Sequence, residues 1–228
     1  LDGGVLGLNS GDFTRSVGSG VSQVDWTSSG GFAAYTADRV VNLGGSFGSV
    51  VWGAAGFVPD NTSLILGAQD ANRTIIFANG IDLGRKSRMF EVVSGTSSVY
   101  VDARVSGVLA GDAGRVVKAG NGVLELTATN TYTGGTSLAE GTLIGASNGA
   151  FGSGLIEVGT NTDTLSPGMA LKLVFQGNSL VNDMRFGNVN GEGVSVVTQT
   201  ASAVSVGGDL AIGRVAGGNI FLETEQFN

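Results

Sequence analysis

The sequence predicts an all-β fold of the β-solenoid type, one continuous unit over residues 1–228 with no substantial helix. Three observations predict it. Glycine supplies 40 of the 228 residues and proline only two, so the chain turns often. Apolar and polar residues alternate singly in several short runs, the pattern of half-buried strands. A loose unit of apolar–x–apolar closed by glycine recurs, as in Leu64-Ile65-Leu66-Gly67, Ile81-Asp82-Leu83-Gly84, Leu143-Ile144-Gly145, Ile156-Glu157-Val158-Gly159 and Ala211-Ile212-Gly213. Recurring units of this kind each need a neighbour to cover an open face. At about 20–25 residues per rung and about 4.8 Å of rise, they stack into roughly ten rungs.

The strands follow in chain order. Val50–Trp52, Leu64–Leu66, Thr74–Phe77 and Met89–Val93 are short apolar runs between turn residues. From Val99 to Val105 the odd positions are apolar and the even ones are Tyr100, Asp102 and Arg104. Val123–Thr127 sets Leu124 and Leu126 against Glu125 and Thr127, and Ile156–Val158 flanks Glu157 with two apolar residues. Leu171, Leu173 and Phe175 share a face opposite Lys172. Val194–Val197, Val204–Val206 and Ile220–Leu222 complete the series. Between the runs stand Asn79-Gly80, Asn121-Gly122, Asn148-Gly149 and Asn190-Gly191, with glycine pairs starting at Gly44, Gly134, Gly207 and Gly217. Asn and Gly supply the backbone angles that tight corners require.

Composition excludes several classes. The glycines follow no three-residue period, which excludes collagen. Hydrophobic residues make up 42% and charged residues 14%, the reverse of the balance in disordered chains. A net charge of −7 argues against a nucleic-acid partner, which needs a basic face. The one cluster of basic residues, Arg85, Lys86 and Arg88, reads as a solvated turn. Without cysteine there is neither a disulfide framework nor a thiolate metal site. No apolar run has the length of a membrane helix, so no membrane insertion is expected. Leu1 and the end at Gln226-Phe227-Asn228 read as the limits of an excerpt from something longer.

No catalytic, cofactor-binding or metal-binding residue emerges. Gly44–Gly48 and Gly145–Gly149 fit Gly-x-Ser-x-Gly, but a nucleophile elbow needs a base, usually histidine, and the chain has none. Glycoside hydrolysis needs two carboxyl groups roughly 5–10 Å apart. The candidate acids Asp82, Asp102, Glu125 and Glu157 lie on different strands, and their alignment does not follow from sequence. Trp26 and Trp52, the two tryptophans, are distant from them in the chain. The corners Asp60-Asn61 and Asn161–Asp163 could hold an ion, but ordinary turns explain them better.

Residues 106–145 carry a further signal. Lys118, Gly120, Gly122, Leu124, Leu126, Asn130-Thr131-Tyr132-Thr133-Gly134, Thr136 and Gly141-Thr142-Leu143 together resemble the autotransporter-associated β-strand repeat, also called the passenger-associated transport repeat. The flanks around Gly31–Tyr35 and Asn42–Gly45 are similar to regions that accompany such repeats. Read physically, Asn130 can bond its own backbone at a corner and stack with adjacent rungs. Tyr132 offers an apolar ring with a polar tip, and Gly134-Gly135 permits a sharp change of direction.

The resemblance implies a right-handed parallel β-helix, exported and displayed at the bacterial cell surface, serving adhesion, aggregation or display and not catalysis. Its expected partners are neighbouring rungs of the same longer chain, with glycans or proteins of a host or neighbouring cell as further candidates, and self-association. No cofactor is expected. Two alternatives stay open at this level: a carbohydrate-active β-helix such as a tailspike or polysaccharide lyase, and a self-assembling filament or sheath subunit.

Overall fold

The computed structural model describes residues 1–96, 101–159 and 171–176, together with residue 182 and the strands that follow it. Every regular element among these residues is a strand, and all strand pairings within the sheets are parallel. Nine strands form the first sheet: Val5–Leu8, Gly30–Ala34, Ser63–Leu66, Ser87–Val92, Arg115–Ala119, Thr136–Leu138, Ile156–Val158, Met184–Phe186 and Leu210–Ile212. Eight form the second: Arg39–Val41, Ile75–Phe77, Ala103–Val105, Val123–Leu126, Thr142–Gly145, Leu171–Phe175, Val194–Thr198 and Ile220–Thr224. A third side carries the small sheet of Val50–Val51, Ile81–Asp82 and Leu109–Ala110. Late in the chain Val189–Asn190 pairs with Val215–Ala216.

From Gly30 on the chain thus alternates between the two large sheets, each circuit laying one strand beside its counterpart of the circuit before. Parallel neighbours need a long crossover, and here the crossover is the rest of the turn. The turns are unequal: Gly31 lies beside Ile65, whereas Thr136 lies beside Ile156. The predicted runs at Val50, Leu64, Thr74, Met89, Val123, Ile156, Leu171, Val194 and Ile220 fall on observed strands, and of the run Val99–Val105 the strand takes Ala103–Val105. Val204–Val206, Val99-Tyr100 and Asn161–Asp163 lie outside the described residues.

The core is the space enclosed by the sheets. Side chains there stack in register columns, one being Leu64, Phe90, Lys118, Leu138 and Val158 on the first sheet. A second runs through Val41, Phe77, Val105, Leu126 and, after Gly145, Phe175. Aromatic rings fill the early turns. Phe13 lies 4.8 Å from Phe32, Trp26 5.2 Å from Phe57, and Trp52 5.2 Å from Phe90. Such tilted and edge-on pairs suit the ring quadrupole. The turns from Lys118 to Val158 are the short ones, and those after Val158 lengthen again.

Gly107 marks how closely successive turns approach. A Cβ there would run into the carbonyl oxygen of Asn79 in the turn before, so only glycine lets that corner close.

Candidate functional site

The residues with repeat-like spacing converge on two corners. At the first, between the first and second sheets, Lys118 points inward from its strand. Its stem lies in register between Phe90 and Leu138, and the residue is fully buried. Its Nζ donates to the carbonyls of Ala119 (3.0 Å), Gly120 (2.6 Å) and, in the next turn, Glu140 (2.9 Å). The Glu140 carboxylate accepts the Gly120 N–H at 3.0 Å. Burial pushes the Lys118 ammonium down to about 7, with the charges of Glu140 and Asp102 pulling the other way. Gly120 and Gly141 both have positive φ, and a Cβ on either would meet the backbone of the turn below.

The second corner holds the Asn-Thr-Tyr-Thr-Gly segment, which runs alongside Leu109–Ala110 on the third side. Thr131 N–H donates to the Leu109 carbonyl at 2.9 Å. The Asn130 side chain does not bond its own backbone. Its oxygen accepts the Leu109 N–H of the turn before (2.8 Å), and its Nδ2 donates to the Ala150 carbonyl of the turn after (2.6 Å). Two other buried asparagines do similar work. Asn79 donates to the Leu43 and Gly48 carbonyls and accepts the Leu43 N–H; Asn182 donates to the Gly152 and Gly154 carbonyls. Planar amides with both donor and acceptor suit this bridging.

Tyr132 is wholly buried, polar tip included. Thr136 Oγ1 donates to the Phe151 carbonyl at 3.0 Å, so the Tyr132 hydroxyl is the donor in its bond to Thr136. Burial pushes the phenol well above its ordinary value. A Cβ at Gly134 would meet the Ala113 and Gly114 carbonyls, so this glycine is required by close approach.

The four candidate acids are not brought together. Asp82 accepts the Gly84 N–H in a turn. Asp102 accepts the N–H groups of Gly95 and Val123, tying successive turns at the entry to the second sheet. Glu125 pairs with Arg104 on the second sheet, and Glu157 with Arg115 and Arg185 on the first. Register sets Arg104 beside Glu125 and Arg185 beside Glu157, so the nearest aligned charges are basic. Trp26 and Trp52 are core residues, not surface platforms.

Of the two Gly-x-Ser-x-Gly matches, the turn with Ser46 is tied by the Phe47 N–H donating to Asn42 at 2.8 Å. In the other, Ser147 Oγ is buried without a hydrogen-bond partner. The basic cluster divides. Arg85 pairs with Asp112 in solvent, and Lys86 with Asp60. Arg88 is instead buried, because alternation along Ser87–Val92 turns it inward with Phe90 and Val92. It bonds the Leu83 and Trp52 carbonyls and Asp60 at 2.5 Å, with its guanidinium carbon 5.7 Å from the Trp52 ring centre. The Asp60 corner thus already faces two cations of its own chain. Hydrogen bonds from Lys86 and then Arg88 hold its carboxyl below the usual range. Among the described residues no group of three or more acidic side chains is placed to hold a metal ion.

Residues 116–144 match the family model of the passenger-associated-transport-repeat. The match covers the Lys118–Glu140 corner and the Asn130–Thr136 corner. Comparisons with curated proteins and with solved structures give no match.

Proposed function

We propose that the chain is a non-catalytic structural or adhesive segment, a stalk or passenger, of a large exported bacterial surface protein. The observation that carries this reading is the repeat match over residues 116–144, which falls on residues engaged in tying turn to turn. A right-handed winding in about ten rungs belongs to the same reading, at about 4.8 Å of rise per rung. The buried Asn130 and Lys118 of the motif reach backbone of adjacent turns, and Tyr132 is tied to Thr136. Side chains committed in this way stiffen the segment. Partners are then met through the outer faces: surface glycans or proteins of another cell, or a second copy of the same protein.

Protease treatment of intact cells that carry the parent protein tests the location. Release of peptides from this segment into the medium is expected, and their appearance only after lysis would overturn the reading. Incubation with a panel of polysaccharides, followed by assay for new reducing ends, tests the absence of catalysis. Turnover of any glycan by the isolated chain would replace this reading with the carbohydrate-active one.

A further inference from the structure

We propose that Phe47 is a stacking platform for an uncharged sugar ring, carried on the turn that leads into the third side. The proposal rests on the adhesive reading above and names a residue and a ligand class for it. Phe47 is 64% exposed, and its φ is 57°. Left-handed backbone is uncommon outside glycine, asparagine and aspartate, and under a bulky side chain it is an outlier. One position therefore combines a strained backbone with an unburied ring, and neither helps the fold. Gly44 and Gly45, also at positive φ, show what the same turn uses where only shape matters. Two buried asparagines fix the turn from below. Asn42 Oδ1 accepts the Phe47 N–H at 2.8 Å, and the Asn42 carbonyl accepts the Gly45 N–H at 2.9 Å. Asn79 donates to the Gly48 carbonyl at 2.8 Å and satisfies both backbone groups of Leu43. The ring thus stands on a rigid base, and little freedom is lost when a ligand meets it.

The surroundings of the ring select the ligand. Residues 44–49 are all exposed, and apart from Phe47 they are glycine and serine. No side chain from Asn42 to Val51 is charged. The negative face of an aromatic ring attracts the weakly positive C–H groups on the apolar side of a sugar. Ser46 and Ser49, before and after Phe47 in the turn, offer hydroxyls to the sugar's polar edge. A stable protein partner needs about 800 Å² on each side. The next exposed apolar side chain along the chain is Val51, and one ring with one valine falls far short of that area. Quaternary ammonium ligands take a cage of rings, and among the described residues no other aromatic ring is comparably exposed. The chain's net charge of −7 disfavours acidic polysaccharides. A neutral pyranose fits what is left.

Titration of the whole chain, labelled at phenylalanine, with neutral trisaccharides of glucose, galactose, mannose and N-acetylglucosamine tests the platform by NMR. The Phe47 ring signals, identified by their loss in Phe47→Asn, should shift with a dissociation constant on the order of millimolar for at least one sugar. Phe47→Asn should weaken that binding by about tenfold or more, and Phe47→Trp should retain it. Because asparagine suits left-handed backbone, Phe47→Asn should also melt no lower than the native chain. Absence of any shift with all four sugars, or equal binding by Phe47→Asn, would overturn the proposal. So would a Phe47→Asn melting temperature well below the native one, since the ring would then serve packing. Self-association that Phe47→Asn abolishes would assign the ring to a second copy of the chain and sink the sugar platform. The protease test on intact cells is independent of these outcomes, so the site and the surface location can fail separately.

Discussion

The Asn130 side chain donates to the Ala150 carbonyl at 2.6 Å, 20 residues along the chain, while its oxygen holds Leu109, 21 residues back. One amide therefore joins three successive turns. Its two partners are backbone groups at a buried corner, where water cannot readily replace it.

Asn130→Ala should accordingly cost about 2–6 kcal/mol, since it strands a buried N–H and a buried carbonyl at about 1–3 kcal/mol each. Urea unfolding at neutral pH measures this. A loss under 1 kcal/mol would show that the bridge is dispensable.

Tyr132→Phe keeps the ring and removes only the hydroxyl that donates to Thr136. Because Thr136 keeps its own bond to Phe151, the cost should be about 1 kcal/mol. Tyr132→Ala also empties the ring's volume and should cost about 3–5 kcal/mol. The difference between the two variants, read from the same unfolding curves, separates packing from hydrogen bonding.

Gly107→Ala adds one methyl group where the Asn79 carbonyl already sits. Overpacking of this kind costs about 1–3 kcal/mol. At Gly4 a Cβ would meet nothing within 4 Å, so Gly4→Ala should stay within about 0.5 kcal/mol of the native chain. Equal melting temperatures for the two variants would contradict the close approach of turns at residue 107.

Asp60 contributes through its depressed carboxyl. The stabilisation is present above the free carboxylate value, about 4, and is lost as pH falls through the lower folded value. Asp60→Asn should therefore melt below the native chain at pH 7, and the two melting temperatures should converge in acid. A gap that persists unchanged in acid would assign the effect to something other than this charge.

Much of the strand layout was legible in the residues. Runs such as Ala103–Val105 and Ile156–Val158 alternate cleanly because one face meets the core and the other meets solvent. Others were not. Gly30–Ala34 is buried throughout, so it shows no alternation to read. Arg115–Ala119 hides behind Lys118, whose charge marks an outward position although the side chain points in. Arg88 misleads for the same reason, being buried against Trp52. In both cases nearby carbonyls, with Asp60 at Arg88, compensate the charge, and those partners come from other turns or from the corner itself.

The residues by themselves determined an all-β chain of short strands and tight glycine corners, and carried the repeat spacing from Lys118 to Leu143. Only the tertiary structure decided which residues meet: Lys118 with Glu140, Asn130 with Leu109 and Ala150, Glu157 with Arg115 and Arg185. Alternation is local, set by the pleat of a single strand. Partnership depends on how far each circuit travels before it closes on the shared core, and the circuits differ in length.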